Sequence, residues 1–167
     1  MRLTLTEDLT ELDSASECLA RLAKTTVAVG LPEGAPERSR FLLALHERGS
    51  PVMRIPPRPV LAPALNAPET RNAMASALAG AAAAAAEGDA AGMDAALRAA
   101  GQAGADGIRA YIDAGVSPGN APVTVNGGWL YNRTAKKSVR VRGKGFDRPL
   151  YDTGELYRSF DYEIRTE

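Results

Sequence analysis

What the chain has little of narrows its chemistry before any motif is considered. A single cysteine, Cys18, excludes a disulfide framework and a cysteine-based metal cluster. A single histidine, His46, excludes a multi-histidine metal site within one subunit. Lysine plus arginine and aspartate plus glutamate each total 20, so no overall charge directs the molecule toward nucleic acid or a membrane surface. No apolar run approaches the ~20 residues of a bilayer-spanning helix; Ala81–Ala86 is too short and too weakly hydrophobic. The opening residues MRLTLTEDLTEL carry charges where a secretion signal requires an apolar stretch, so a soluble protein of a reducing or neutral compartment is expected. In that setting Asn132-Arg133-Thr134 matches a glycosylation pattern by chance. Gly143-Lys144-Gly145 lacks the rest of a phosphate-binding loop, so no nucleotide and no other cofactor is expected.

What is present is an alternation of helical and β patterns in 167 residues, the length of one domain with a real core. Residues 2–6 alternate as a short strand would, and Thr6 followed by Glu7 and Asp8 reads as a helix N-cap with acids at the positive end. Leu9, Leu12, Leu19 and Leu22 continue that helix as one apolar stripe, with Cys18 beside it. Thr25–Leu31 is β-branched and bounded by glycine and proline, predicting a strand at about 26–31. Pro36 and Gly49 bracket a second helix, with His46 in its last turn, where the helix dipole favours a histidine. Five prolines between Pro51 and Pro63 predict an extended connector. Two Ala-rich helices follow, over 66–87 and about 90–114, interrupted at Gly88-Asp89. Gly101, Gly104 and Gly107 mark a kink or a close helix approach in the second.

Beyond Gly115 the composition turns to glycine, proline, β-branched and basic residues, and strands are expected at 122–126, 137–142 and 158–165. From Arg133 to Arg148 seven basic residues face one acid, Asp147, a local net of +6. Five acids between Glu7 and Glu17 hold much of the balancing negative charge, so a neutral chain is polarised. The expected fold class is α/β (α+β): one domain, 1–167, with a small, mostly antiparallel sheet packed by the two long helices and a basic loop or hairpin at about 127–148.

Asp152-Thr153-Gly154 carries the tripeptide of aspartic proteases, whose chemistry needs two carboxylates sharing one proton. One copy supplies only half of that pair, and thirteen residues after Gly154 are too few to complete an all-β protease fold. In the structural alternative, Asp152 caps the turn TGELYR, Gly154 turns the backbone and Leu156 anchors it in the core.

Several stretches in order carry a resemblance: the VAVGL strand with Val27, Val29 and Gly30; Glu47 and Gly49 running into Pro57, Arg58, Pro59 and Leu61; and Lys144, Gly145, Pro149, Leu150, Asp152, Thr153, Gly154, Leu156 and Ser159 near the end. From about residue 25 to 165 the chain resembles the bacteriophage virion-morphogenesis and tail-completion proteins of the head-to-tail joining region. It departs from that pattern at Arg48, where an aromatic is common, at Val60, where phenylalanine is usual, and in the inserted residues Gly127–Gly143. The resemblance implies a non-enzymatic virion protein at the phage neck or tail top, assembled in the host cytoplasm. Its partners would be copies of itself in a ring, of six by the symmetry of a tail tube, and neighbouring neck and tail-tube proteins. Arg58, Pro59, Asp152, Thr153, Gly154 and Leu156 would then be structural or interface residues. Arg58, held between two prolines, is expected to pair bidentately with a carboxylate or to bond backbone carbonyls. Arg133, Lys136, Lys137, Arg140, Arg142 and Lys144 would form a basic loop facing a neighbour or, incidentally, DNA in the channel. A second reading, from the residues alone, is a nucleic-acid-binding module using the stretch 129–148, where Trp129, Tyr131 and Phe146 interleave with the basic side chains.

Overall fold

The computed structural model describes residues 5–132 and 135–167, with side chains from residue 11 onward. It is α+β, as the sequence implies: seven helices and four strands among the described residues, grouped into two compact units. The strand expected over residues 2–6 falls largely outside the described residues; Leu5 and Thr6 open helix α1 (Leu5–Ala23), so Thr6 lies inside the helix it was expected to cap.

The first unit comprises residues up to Gly34, Leu61–Ile108 and Phe160–Glu167. Its strands β1 (Thr25–Gly30) and β4 (Asp161–Thr166) form a two-stranded antiparallel ribbon in which Val29 faces Tyr162 and Val27 faces Ile164. Helix α4 (Pro68–Ala86) starts with proline at its first turn, where the missing N–H costs nothing. Helix α5 (Ala90–Asp113) follows after the expected break, and Asp89 Oδ1 accepts the Gly92 N–H at 2.8 Å. Cys18, Ala81, Ala85, Met93 and Leu97 are buried together, so α1, α4 and α5 share one core. Burying Met93 and Leu97 contributes about 1.5–3 kcal/mol each. The three α5 glycines serve close approach. A Cβ at Gly101 would lie 2.3 Å from the Tyr162 ring, one at Gly104 2.9 Å from Val29, and one at Gly107 2.3 Å from Thr70.

The second unit comprises Ala35–Val60 and Arg109–Ser159. Helix α2 (Glu37–Arg48) is bracketed by Pro36 and Gly49 as expected. The proline segment is not one connector: a turn closes through the Ser50–Ile55 bridge, residues 56–60 carry no regular secondary structure, and residues 61–66 coil into α3 (Leu61–Asn66) within the first unit. Pro63 is compatible with α3 because it sits in the first turn, where no i→i−4 bond is lost.

The strand expected at 122–126 is instead helix α6 (Pro122–Asn126). Pro122 presets a helical φ, and Thr124 and Val125 donate their N–H groups to Ala121 O at 2.8 and 3.2 Å; in five residues these local bonds outweigh β propensity. The β structure lies just beyond it. β2 (Gly128–Asn132) and β3 (Lys137–Val141) form an antiparallel hairpin within the anticipated insertion. The four strands pair antiparallel as two ribbons, β1–β4 and β2–β3, rather than as one sheet. The last expected strand, 158–165, begins later, because Ser159 ends helix α7 (Glu155–Ser159) and β4 starts at Asp161. α7 is fastened to α2 by a Ser39 Oγ···Ser159 Oγ contact of 3.0 Å. No helix among the described residues is long and apolar enough to cross a membrane.

Candidate functional site

Within the second unit, the motif-bearing stretches line one cleft of about 690 Å³. α2 contributes Arg38, Leu42 and His46; the proline segment contributes Met53, Arg54, Ile55 and Arg58; the hairpin and the residue after it contribute Leu130, Val141 and Arg142; and Lys144 with residues 150–156 closes the remaining wall. Five arginine or lysine residues and two carboxylates, Asp152 and Glu155, are among its lining residues, beside a larger number of apolar ones.

Arg58 fastens one side of this cleft. It is 5 % exposed, and its guanidinium donates from Nε to Pro118 O at 2.6 Å and from Nη2 to Gly119 O at 2.8 Å. Of the two expected partners, backbone carbonyls are the ones present. Its own N–H donates to His46 O at 2.6 Å, and Glu47 Oε1 accepts the Val60 N–H at 2.8 Å, so the stretch is tied to α2 at its middle and at its end. Asp147 Oδ1 takes the Asn120 N–H at 2.8 Å, fixing the loop that Arg58 grips from its other end. Burial draws the Arg58 pKa below its ordinary value, and nearby Asp147 opposes that shift. Pro59 is exposed and bounds the segment without lining the cleft.

Lys144 is a tie as well, although the sequence placed it in a basic loop facing a neighbour or DNA. Its ammonium donates to Tyr151 O and, at 3.4 Å, to Arg148 O, and sits 5.2 Å from the Phe146 ring centroid. Desolvation lowers its pKa; Asp152 and Asp147 pull it back up, and Arg58 adds to the lowering. The sequence did not reveal an aromatic cluster beside it: Tyr151 meets Phe146 and Tyr157 edge-on at 6.4 and 5.6 Å, with Arg148 4.3 Å from the Tyr151 ring centroid. Asp113 accepts from Tyr157 Oη at 2.8 Å and pairs with Arg148.

At Asp152-Thr153-Gly154 the expected roles shift by one residue. Asp152 is exposed, and the cap belongs to its neighbour: Thr153 Oγ1 accepts the Glu155 N–H, at a long 3.4 Å. Thr153 is the cap because its hydroxyl lies two residues from that N–H, the usual reach of such a turn. Gly154 adopts φ +79°, a left-handed conformation that favours glycine, and a Cβ there would lie 2.6 Å from Arg158 Nη1. Leu156 is 5 % exposed and anchors α7 as expected.

His46 sits in the last turn of α2, as expected, but its surroundings do not favour a charge there. Its pKa is lowered, first by desolvation and then by Arg58 and Lys144, so the neutral ring is favoured. Its Nδ1 and Asn120 Nδ2 are buried polar atoms without a hydrogen-bond partner among the described residues, and both residues line the cleft.

The basic hairpin is exposed along both strands, apart from the half-buried Val141 at its base. Lys136, Lys137, Arg140 and Arg142 are exposed, and Arg133 lies outside the described residues. Trp129 stands across from Arg140 and Tyr131 across from Ser138, so one face carries two aromatic rings and a guanidinium, with Trp129 71 % exposed. The opposite face carries the cross-strand pair Leu130–Val139 and Val141, and Leu130 and Val141 line the cleft. No group of three or more metal-ligating side chains occurs among the described residues. Comparison with family models, with curated proteins and with solved structures gives no match.

Proposed function

We propose that this chain is a structural protein of the bacteriophage head-to-tail joining region, a tail-completion or tail-terminator-like subunit that assembles with copies of itself into a ring, six by tail symmetry. The observation that carries the reading is the convergence of the resembling stretches. The segments around Arg58 and Asp152-Thr153-Gly154, nearly a hundred positions apart in the sequence, line one cleft together with Lys144. Their side chains serve as ties: Arg58 and Lys144 spend their donors on backbone carbonyls, which organises a surface rather than a reaction centre. A ring of identical subunits uses two different patches on each copy, and the chain carries an acidic helix α1 and a basic second unit. Asp152 has an ammonium, that of Lys144, as its electrostatic neighbour, where a protease pair needs a second carboxylate to share its proton.

The test is genetic and direct. A phage lacking this chain should produce DNA-filled heads and complete-length tails that remain unjoined, and supplying the protein in the host should restore infectious particles. Normal joining without the chain overturns the proposal.

A second reading keeps one specific observation in its favour, the exposed Trp129, Tyr131 and Arg140 face. Aromatic rings beside a guanidinium stack on bases of single strands. Under that reading, Trp129→Ala weakens single-stranded DNA binding in a fluorescence titration, and added salt weakens the wild type further. Under the ring reading the purified chain shows no such binding at physiological salt.

A further inference from the structure

Helix α1 leaves a largely apolar row uncovered by the described residues. Cys18 and Leu22 turn into the first unit's core, whereas Leu12 is 65 % and Leu19 46 % exposed. Leu12, Ser16, Leu19 and Ala23 recur at i, i+4, i+7 and i+11, one continuous face of the helix, and all four are exposed. Only the small hydroxyl of Ser16 interrupts its apolar character. Asp13 and Glu17, one turn apart, flank that row and are exposed too. Over its length α1 holds five acids against one base, Arg21.

The second unit's cleft has the complementary character. Its aliphatic lining includes Leu42, Ile55, Val123 and Leu130, and its net charge is positive, with Arg38, Arg54 and Arg142 exposed at its edge. Independently, His46 Nδ1 and Asn120 Nδ2 are buried there without partners among the described residues, and an unpaired buried polar group is costly until something supplies one. An amide N–H donor facing a positively charged, partly apolar cleft calls for an incoming carboxylate beside an apolar side chain.

We infer that the cleft is a docking site for helix α1 of a second copy of this chain, with the Leu12–Leu19 row on the aliphatic lining and Asp13 and Glu17 directed at the basic edge and the unpaired donor. The contact joins two different patches, so it is heterologous and repeats from copy to copy. This rests on the ring reading and specifies the contact that would build it. The exposed row from Leu12 to Ala23 runs for about 17 Å along the helix.

The experiment uses the full chain and two one-sided variants. Glu17→Gln with Leu19→Gln disables the helix face and leaves the cleft intact; Arg54→Glu with Arg142→Glu does the reverse. The first pair is uncharged, so it cannot find a new partner in the acidic cleft of the second. Sedimentation is followed to millimolar concentration, with circular dichroism confirming that each variant is folded. The wild type should self-associate, more weakly at high salt. Each variant alone should associate about tenfold or more weakly, the scale of a lost apolar or charge-assisted contact. Mixing the two variants should restore a single interface and give a one-to-one dimer that grows no further. Wild-type association unaffected by either variant overturns the docking and leaves the ring standing, built by another contact. A wild-type chain that stays monomeric throughout also overturns it, and the unjoined-particle test then decides the ring separately. A closed two-fold dimer overturns both.

Discussion

Arg58 is the residue whose loss should be felt most strongly, and its cost follows from two distances. Its fork reaches two consecutive carbonyls, Pro118 O at 2.6 Å and Gly119 O at 2.8 Å, from a side chain only 5 % exposed. Hydrogen bonds to charged groups contribute about 1.5–3 kcal/mol each, and a carbonyl stranded by truncation loses its partner without regaining full hydration. Desolvation of the guanidinium offsets part of this, so Arg58→Ala should cost about 2–4 kcal/mol. That is a large share of the roughly 5–15 kcal/mol that holds a domain folded. Arg58→Lys keeps the charge, but one ammonium on a flexible stem cannot reproduce both arms of the planar fork, so it should recover less than half of the loss. Urea unfolding at neutral pH reads both variants as midpoint shifts; with a slope of about 2 kcal/mol per molar, Arg58→Ala moves the midpoint down by roughly 1–2 M. An Arg58→Ala midpoint indistinguishable from wild type would refute the tie. A Lys variant equal to wild type beside a destabilised Ala variant would show that charge alone suffices and that the fork is idle.

Other consequences are equally concrete. Asp152→Asn and Asp152→Ala should each change stability by less than about 0.5 kcal/mol, because the carboxylate is exposed and Thr153 supplies the cap; peptide cleavage abolished by Asp152→Asn would refute the structural role. Gly154→Ala should cost about 1–3 kcal/mol by thermal or urea unfolding, given φ +79° and the 2.6 Å approach to Arg158. Gly101→Ala should cost at least as much, since the new methyl would meet the Tyr162 ring at 2.3 Å; a neutral result would mean that α5 does not pack on the ribbon this closely. The lowered pKa of His46 makes stability pH-dependent in a defined direction. Above its ordinary value of 6.5 the ring is neutral in both the folded and unfolded chains; as pH falls below 6.5 the unfolded chain takes up the proton first, and stability declines until the lowered folded value is passed. His46→Gln should flatten that slope in urea midpoints measured between about pH 7.5 and 5; an unchanged slope would place the titration elsewhere.

The parts of the molecule that a local signal can specify were legible in the sequence. The helix between Pro36 and Gly49, the break at Gly88-Asp89 and the strand from Thr25 all follow from turn residues and periodicity. A close approach at Gly101 was legible, but as one to a helix; that its partner is Tyr162 of β4, sixty-one positions later, was not, because nothing in the sequence states the register of β1 on β4. The VTV segment misled for a related reason: β propensity measures packing on a sheet, and here Pro122 and the local hydrogen bonds to Ala121 O decided the conformation instead. Arg58 announced itself through its flanking prolines, whereas Lys144 looked like one more basic loop residue. Its burial depends on the return of the chain at Tyr151, a tertiary fact. At the DTG turn, sequence chemistry identified the cap to within one residue, since Asp and Thr are both good caps and only backbone geometry chooses between them.

The proposed ring of this chain at the junction of head and tail is tested most directly by electron cryomicroscopy of purified virus particles that encode it. The expected result is density for this fold in a closed ring, six copies around the tail axis, between the portal and the tail tube. Particles in which the chain is missing from the neck, or in which native mass measurement of disassembled necks returns it as a fixed dimer, would contradict it.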